Sequence, residues 1–145
     1  LLWKTMEACK TEMESSMVGP VEERATALLD RITAYPLGAV RLSASLAPSE
    51  FAPQNLSEEV KLNVLSGGEH EQVHFATRLA LADVLCENEP QLVVFDDAIM
   101  ATDGERMRRI LEMLEERRER MQVLLLTCHP ERYRSLRQPA LIELA

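Results

Sequence analysis

Three residues, His70, Glu71 and His74, stand in the order His-Glu-x-x-His, the first set whose types and spacing could do chemistry. On a helix the two histidines lie one turn apart, where they can bind zinc while the glutamate activates a zinc-bound water. A third ligand is needed, and Glu87 and Glu89 are the downstream acidic residues that could serve. The pattern predicts a zinc metallopeptidase, and two ordinary histidines on a helix surface are the alternative interpretation.

A second set overlaps the first and begins four residues earlier, with Ser66, Gly67 and Gly68 directly before a segment of helical periodicity. The first N–H groups of a helix have no intrahelical acceptor, and the helix dipole favours an anion there. Two glycines leave no side chain in the way of a phosphate. The set predicts a phosphate-binding site, with a simple turn as the alternative.

Two adjacent carboxylates, Asp96 and Asp97, follow the apolar run at residues 92–95. Such a run is typical of a fully buried parallel strand, and α/β proteins bind ligands at the carboxyl ends of these strands. Asp96 can hold Mg²⁺ and Asp97 can accept a proton from an attacking water. His129, after the next apolar run, can contact a γ-phosphate. A polar turn at each strand end is the alternative.

The order of these motifs resembles that of the ABC-type ATPases. Residues 65–72, Leu-Ser-Gly-Gly-Glu-x-x-Gln, resemble the family signature, and residues 92–96 resemble the Walker B strand with its terminal aspartate. Asp97 stands at the position of the catalytic acid, which is usually glutamate. Residues 101–103 resemble the D-loop, with threonine where leucine is common, and His129 stands at the place of the switch histidine.

Within these ATPases the chain resembles the C-terminal lobe of the SMC, SbcC and RecN-like heads. The sequence has no GxxxxGK[ST] motif, and in that branch the Walker A lobe lies at the N-terminus with a long coiled coil between. Residues 96–97 and 127–130 look most like the bacterial YhaN-type SMC-like ATPases. The resemblance covers residues 60–136 by motif and residues 1–59 only by arrangement.

The resemblance implies ATP and Mg²⁺ as ligands and two heads that sandwich two ATP molecules. The resemblance implies γ-phosphate contact for the signature residues Ser66, Gly67 and Gly68, with Gln72 as support. It implies metal binding for Asp96 and the role of general base for Asp97. It also implies γ-phosphate contact for the switch residue His129 and coupling between the two sites for Asp103. The implied partners are the Walker A lobe of the same protein, a second head in a homodimer, DNA, and a nuclease or kleisin-like subunit. DNA repair, chromosome maintenance and defence against foreign DNA all stay open, as does a non-catalytic dimerisation module.

Composition sets the outer bounds. The chain has 145 residues, of which 46% are hydrophobic and 4% aromatic, as expected for one folded, helix-rich domain. A net charge of −8 argues against strong binding of DNA by this lobe alone. No apolar run reaches the roughly 18 residues of a membrane span. Three cysteines without a CxxC pair favour a reducing cytoplasm.

The hydrophobic pattern along the chain predicts the elements that position these residues. It indicates an α/β fold with parallel strands and flanking helices, preceded by the end of a coiled-coil helix. Apolar residues recur at heptad spacing near the start of the chain: Leu2, Met6, Cys9 and Met13. This spacing predicts a coiled-coil end over residues 1–17, and an amphipathic helix packed on its own domain is the alternative. Residues 18–145 are expected to form the C-terminal lobe. Within it Gly19 and Pro20 predict a break before a helix at residues 21–33.

The remaining periodicity predicts the other elements. Alternation predicts a strand at residues 40–46, closed by prolines and followed by a loop to residue 61. Helices are predicted at residues 69–85 and 104–120, buried strands at residues 91–95 and 122–127, and a further strand at residues 140–144. Strand, helix, strand implies parallel pairing with a right-handed crossover. The basic residues near the chain end are interpreted as solvated surface: Arg132, Arg134 and Arg137.

Overall fold

The computed structural model describes residues 2–55, 58–87, 89–137 and 139–143. Its order of elements is α1 (Leu2–Thr33), β1 (Gly38–Leu42), β2 (Pro48–Pro53), β3 (Val60–Lys61), α2 (Gly67–Leu85), β4 (Gln91–Asp96), α3 (Gly104–Glu115) and β5 (Met121–Leu126). The fold is therefore α/β, as predicted. Among the described residues no helix is both long enough and apolar enough to cross a bilayer.

The core lies where the second half of α1 packs against α2 and α3. The buried residues of α1 recur at helical spacing and face inward: Val21, Ala25, Leu28, Leu29 and Ile32. A buried ion pair joins α2 to the turn after α3, with Arg117 donating to both carboxylate oxygens of Asp83 at 2.7–3.0 Å. The arginine also donates to the Met113 carbonyl oxygen, so the buried charges are paired and hydrogen-bonded.

Helix α1 is continuous, so the predicted break at Gly19 and Pro20 is wrong. Proline lacks an N–H and forfeits one bond to the carbonyl four residues earlier, but here Pro20 is exposed and the helix after it is held by buried residues. The side chains of the first three turns are exposed, Leu2 and Met6 among them. The choice between a coiled-coil end and an amphipathic helix over residues 1–17 stays a prediction.

Strands β1, β2 and β3 form an antiparallel sheet over a region where the sequence predicted one strand and a loop. Strand β1 ends at Leu42, and a turn closed by the Ser43 N–H and the Ala47 carbonyl (2.8 Å) leads into β2. The prediction of a loop from residue 48 is wrong because Pro48 and Pro53 stand at the two ends of β2, where a strand tolerates proline.

Strands β4 and β5 are parallel, with Asp96 opposite Leu126 and α3 between them in sequence, as predicted. The inward side chains of β4 pack against α2, and the rings of Phe75 and Phe95 are 4.7 Å apart. The prediction of two fully buried strands is wrong for the described residues by themselves, since every second residue is exposed: Leu92, Val94, Leu124 and Leu126. Only one face of this sheet is covered by the described residues.

Two predicted boundaries also change. Helix α3 ends at Glu115 rather than at residue 120, and turns lead from it into β5. Residues 140–143 form no strand, so that prediction is wrong for them, and residue 144 lies outside the described residues. The hand of the β4–α3–β5 crossover stays a prediction.

Candidate functional site

The first part of the site is the start of α2, which Ser66 and Glu69 fix by a reciprocal pair of hydrogen bonds. The Ser66 Oγ accepts from the Glu69 N–H (3.3 Å), and the Glu69 carboxylate accepts from the Ser66 N–H (2.9 Å) and hydroxyl (2.7 Å). These bonds from Ser66 hold the pKa of Glu69 below its ordinary value. The helix therefore begins at Gly67, where the sequence predicted a phosphate site.

The two glycines at this helix start have different surroundings. A Cβ added at Gly68 would lie 3.0 Å from the Ala101 carbonyl oxygen, whereas one added at Gly67 would meet nothing within 4 Å. Gly68 is thus required by the close approach of the loop after β4, and Gly67 opens to solvent. A phosphate can reach the backbone at Gly67 without meeting a side chain.

Glu71 joins the start of α2 to the same loop. Its Oε2 accepts from the Ala101 N–H at 2.9 Å. This contact gives the central residue of the His-Glu-x-x-His pattern a partner other than a zinc-bound water. The sequence held no signal for it, because the donor is a backbone N–H, which nearly every residue has.

The two histidines of that pattern lie on the α2 surface with ring centroids 4.5 Å apart. Burial, and then the nearby His70 and Arg78, hold the pKa of His74 below its ordinary value. Of the further zinc ligands considered, Glu87 is 3.3 Å from Arg24. Within the described ranges no group of three or more His, Cys, Asp or Glu side chains could hold a metal ion. The geometry therefore does not supply the third protein ligand that the zinc hypothesis needs.

The second part of the site is the carboxyl end of β4. Asp96 ends the strand with an exposed carboxylate that has no hydrogen bond or ion pair to the described residues. Its oxygens are the ligand type that Mg²⁺ prefers, so the residue fits the predicted metal role. Asp97 has φ of 40°, its N–H donates to the Leu126 carbonyl (2.9 Å), and its carboxylate accepts from the Cys128 N–H (3.3 Å).

His129 follows β5 and precedes a 3₁₀ turn, Pro130–Tyr133. Its N–H donates to the Thr127 Oγ1 (2.9 Å), and its Nδ1 lies 3.2 Å from the Glu131 carboxylate. The imidazole is exposed at the same end of the sheet as Asp97, because Cys128 links the two. Contact of His129 with a γ-phosphate stays a prediction.

Asp103 and Gln72 lie around Arg106. The Asp103 carboxylate accepts from the Glu105 and Arg106 N–H groups (3.0 Å each), which caps α3 and, through Arg106 first, lowers the pKa of Asp103. Gln72 is 1% exposed, and its Oε1 accepts from Arg106 at 3.4 Å. The Gln72 Nε2 has no hydrogen-bond partner among the described residues. The buried Gln72 side chain thus contacts α3 through Arg106 and does not face a ligand directly.

Sequence reasoning missed Arg132, which it assigned to solvated surface. Its guanidinium donates to the carbonyl oxygens of Ile99 (3.2 Å), Met100 (3.0 Å) and Thr102 (2.9 Å). The prediction is wrong because the acceptors are backbone atoms, which leave no pattern in the sequence. The loop after β4 is therefore tied to the turn after His129.

Comparison with known proteins places the chain in a family. Residues 40–116 match the protein family described as SbcC/RAD50-like, Walker B motif. The uncharacterized proteins Rv1278 of Mycobacterium tuberculosis and Mb1309 of Mycobacterium bovis are 38% identical over 74 residues, which is 51% of this chain. The chain spans only 8% of the length of these relatives.

Solved structures with the same fold are heads of SMC proteins. The Pyrococcus furiosus Smc head bound to the C-terminal domain of ScpA has a TM-score of 0.62 at 15% identity, covering 91% of this chain and 34% of that one. A structure from work on ATP-driven dimerization and DNA-stimulated activation of SMC ATPases has a TM-score of 0.56 at 18% identity, covering 81% and 73%. With the family match over more than half of its length, this chain belongs to the SbcC/RAD50-like ATPases and has the fold of an SMC-type ATPase head.

Proposed function

We propose that this chain is the C-terminal half of an SMC/SbcC-like ATPase head of the YhaN type, acting in the cytoplasm. Residues 1–17 are the end of the coiled coil and residues 18–145 are the lobe. The observation that carries the proposal is the convergence of the motifs: the signature approaches the D-loop where Gly68 meets Ala101, and Asp97 bonds to Cys128 beside the switch histidine. The loop after β4, which carries Asp97 and the D-loop, thus contacts both the signature and the switch turn.

The exposed face of the β4–β5 sheet supports a missing half that completes the head. Beside Gln122, this face carries four aliphatic side chains that are open to water: Leu92, Val94, Leu124 and Leu126. Contiguous apolar surface on a folded protein marks a contact site. The family's phosphate-binding lysine lies in the Walker A lobe, so that lobe must pack beside the residues of this chain. We assign the apolar face to contact with the Walker A lobe of the same protein.

ATP is the proposed substrate, shared between two heads. The N–H groups at the start of α2 suit a γ-phosphate held by the Walker A loop of the opposite head, with Ser66 and the open space at Gly67 facing it. Asp96 would hold Mg²⁺, which when bound neutralises phosphate charge. Gln72 supports the loop from the buried side.

Asp97 is the proposed general base, and His129 the group that contacts the γ-phosphate. Aspartate is one methylene shorter than the usual glutamate, and the Cys128 N–H holds the Asp97 carboxylate toward the turn that carries the histidine. A water between the two side chains could then be deprotonated and oriented by residues of one head. Asp103, at the end of the D-loop, is assigned the coupling of the two sites across the dimer.

Closure of two heads on ATP and their release after hydrolysis would move the attached coiled coils and any DNA bound by the full assembly. The Pyrococcus furiosus Smc head is bound to a domain of ScpA, and a kleisin-like or nuclease subunit is proposed here by analogy. DNA repair, chromosome maintenance and defence against foreign DNA are the candidate settings. The net charge of −8 describes this lobe and not the complete protein.

The test uses the full-length protein that contains this chain. We expect Mg²⁺-dependent ATP hydrolysis and nucleotide-dependent dimerisation, both lost in Ser66→Arg because the larger side chain fills the phosphate approach. Asn63→Arg is the matched control, since Asn63 is exposed in the neighbouring turn. Dimerisation without any nucleotide dependence would instead establish a non-catalytic module, and about one bound zinc per chain would favour the peptidase.

A further inference from the structure

The loop between β4 and α3 is held almost entirely by side chains of other elements. Arg132 binds three of its carbonyl oxygens, those of residues 99, 100 and 102, at 2.9–3.2 Å. The Tyr133 hydroxyl donates to the carbonyl of Ala98 at 3.5 Å, and Glu71 accepts from the N–H of Ala101 at 2.9 Å. Each of the five residues 98–102 thus has a backbone group bonded by a side chain from outside the loop.

The backbone of this loop needs such support. Asp97 has φ of 40° and Ile99 has φ of 63°, a left-handed conformation that a β-branched side chain rarely adopts. Ile99 is also 2% exposed, so its side chain is fixed in the core while its backbone is strained. Residues in such conformations persist only where the surroundings hold them in place.

Arg132 connects this loop to the turn that follows His129. The Arg132 N–H donates to the His129 carbonyl at 3.1 Å, so the backbone of the arginine is bonded directly to the histidine. Its guanidinium is a rigid planar fork, which suits simultaneous contact with three carbonyls better than the flexible ammonium of lysine. A displacement of His129 would therefore carry the guanidinium and the loop with it.

We propose that Arg132 is a positioning residue that fixes residues 98–102 to the His129 turn, so that the switch histidine and the D-loop move as one unit. The loop lies against Gly68, so its movement reaches the signature motif as well. The mechanical link rests on the described contacts alone. The further claim, that His129 and the D-loop move together when ATP binds, rests on the proposed function.

The link is tested by hydrogen exchange of the full-length protein without nucleotide. In Arg132→Ala we expect the amides of residues 98–103 to exchange about tenfold faster, since loop opening no longer breaks three side-chain bonds. Arg132→Lys should fall between, because one ammonium cannot bind three divergent carbonyls. Arg134→Ala is the matched control, an exposed arginine on the same turn, and should leave the loop unchanged. Unchanged exchange in Arg132→Ala would overturn the link.

The nucleotide response is tested by kinetics and a double-mutant cycle. We expect Arg132→Ala to lower kcat about tenfold with the Kd for ATP changed less than about twofold, and to add nothing to the loss already caused by His129→Ala. Additive losses, or equal losses of ATP affinity and thermal stability, would overturn the coupled movement. If the wild-type protein hydrolyses no ATP, the proposed function fails, while the exchange experiment still decides the link.

Discussion

The two faces of the β4–β5 sheet carry the same kind of side chain in opposite surroundings. On the face toward α2, Val93 and Phe95 are 5% and 2% exposed, whereas on the other face Leu92 and Val94 are 60% and 38% exposed. Burial on the first face explains why the strands fold against the helices. The second face is open to water in the described residues, which is why we propose that the Walker A lobe covers it.

The carboxyl edge of the sheet differs from both faces. Its residues are held by hydrogen bonds from loop backbones and from distant side chains, as at Asp97 and Arg132. The packed face stabilises the fold, and the proposed function assigns the open face to contact with the Walker A lobe and the edge to positioning the chemistry. Substitutions in these three regions should therefore have separable effects.

The largest effect is expected where the two faces are compared directly. In the full-length protein Phe95→Ala should lower the free energy of unfolding by about 3–5 kcal/mol, through lost burial and the cavity left behind. If the Walker A lobe covers the open face, Leu92→Ala should cost about 2–5 kcal/mol as well.

Val64→Ala is the control, since Val64 is 66% exposed on a separate surface and should cost less than about 0.5 kcal/mol. Chemical denaturation measures all three variants. A cost for Leu92→Ala as small as that for Val64→Ala would show that the open face is solvated in the whole protein.

At the edge, Asp97→Asn should lower ATP turnover by at least about a hundredfold, because the amide cannot accept a proton from water. The ATP-dependent dimer should persist, since the amide keeps the size of the side chain and an oxygen for the Cys128 N–H. Steady-state hydrolysis and the mass of the dimer in solution are the measurements. Unchanged turnover would remove Asp97 from the role of general base.

A smaller effect should separate the two glycines at the start of α2. Gly68→Ala places a methyl group 3.0 Å from the Ala101 carbonyl, so the loop must shift and stability should fall by about 1 kcal/mol. Gly67→Ala meets nothing within 4 Å and should be neutral or slightly stabilising, because alanine favours helix. Thermal unfolding of both variants checks this, and equal melting temperatures would contradict the tight contact at Gly68.

The smallest effect concerns pH. The pKa of His74 is lowered in the folded state, by burial first and then by His70 and Arg78, so below a pH of about 6.5 the unfolded chain binds more protons. The free energy of unfolding should therefore fall as pH drops through this range, with no contribution from His74 above it. His74→Gln should flatten the slope between about pH 5 and 7. Denaturation at several pH values is the measurement, and identical slopes would contradict the shift.

Much of the motif-bearing half could be predicted from the sequence. Ser66 and Glu69 are a capping pair, and they place the start of α2 within two residues of the prediction. The apolar runs before Asp96 and Thr127 predicted two strands, and the helix between them predicted the parallel pairing that the structure has. These signals are local, so a short stretch of sequence is sufficient to identify them.

What could not be predicted depends on partners distant in sequence. Pro20 suggests a helix break, but the packing of later residues overrides that local preference. The prolines of β2 suggested a loop because a proline at the end of a strand looks the same in sequence as a proline in a loop. Glu71 and Arg132 bind backbone groups, and exposed Leu92 is buried only if another lobe covers it. None of these facts leaves a residue pattern near the position concerned.

The proposal that this chain completes the nucleotide site of a second head is tested most directly by mixing two inactive full-length variants. One carries Ser66→Arg, and the other carries a substitution of the Walker A lysine. If each site is shared between heads, a mixed dimer has one intact site, and the mixture should recover about a quarter of wild-type hydrolysis because half of the dimers are mixed. If the mixture stays as inactive as each variant alone, the site is not shared and the proposed head architecture is wrong.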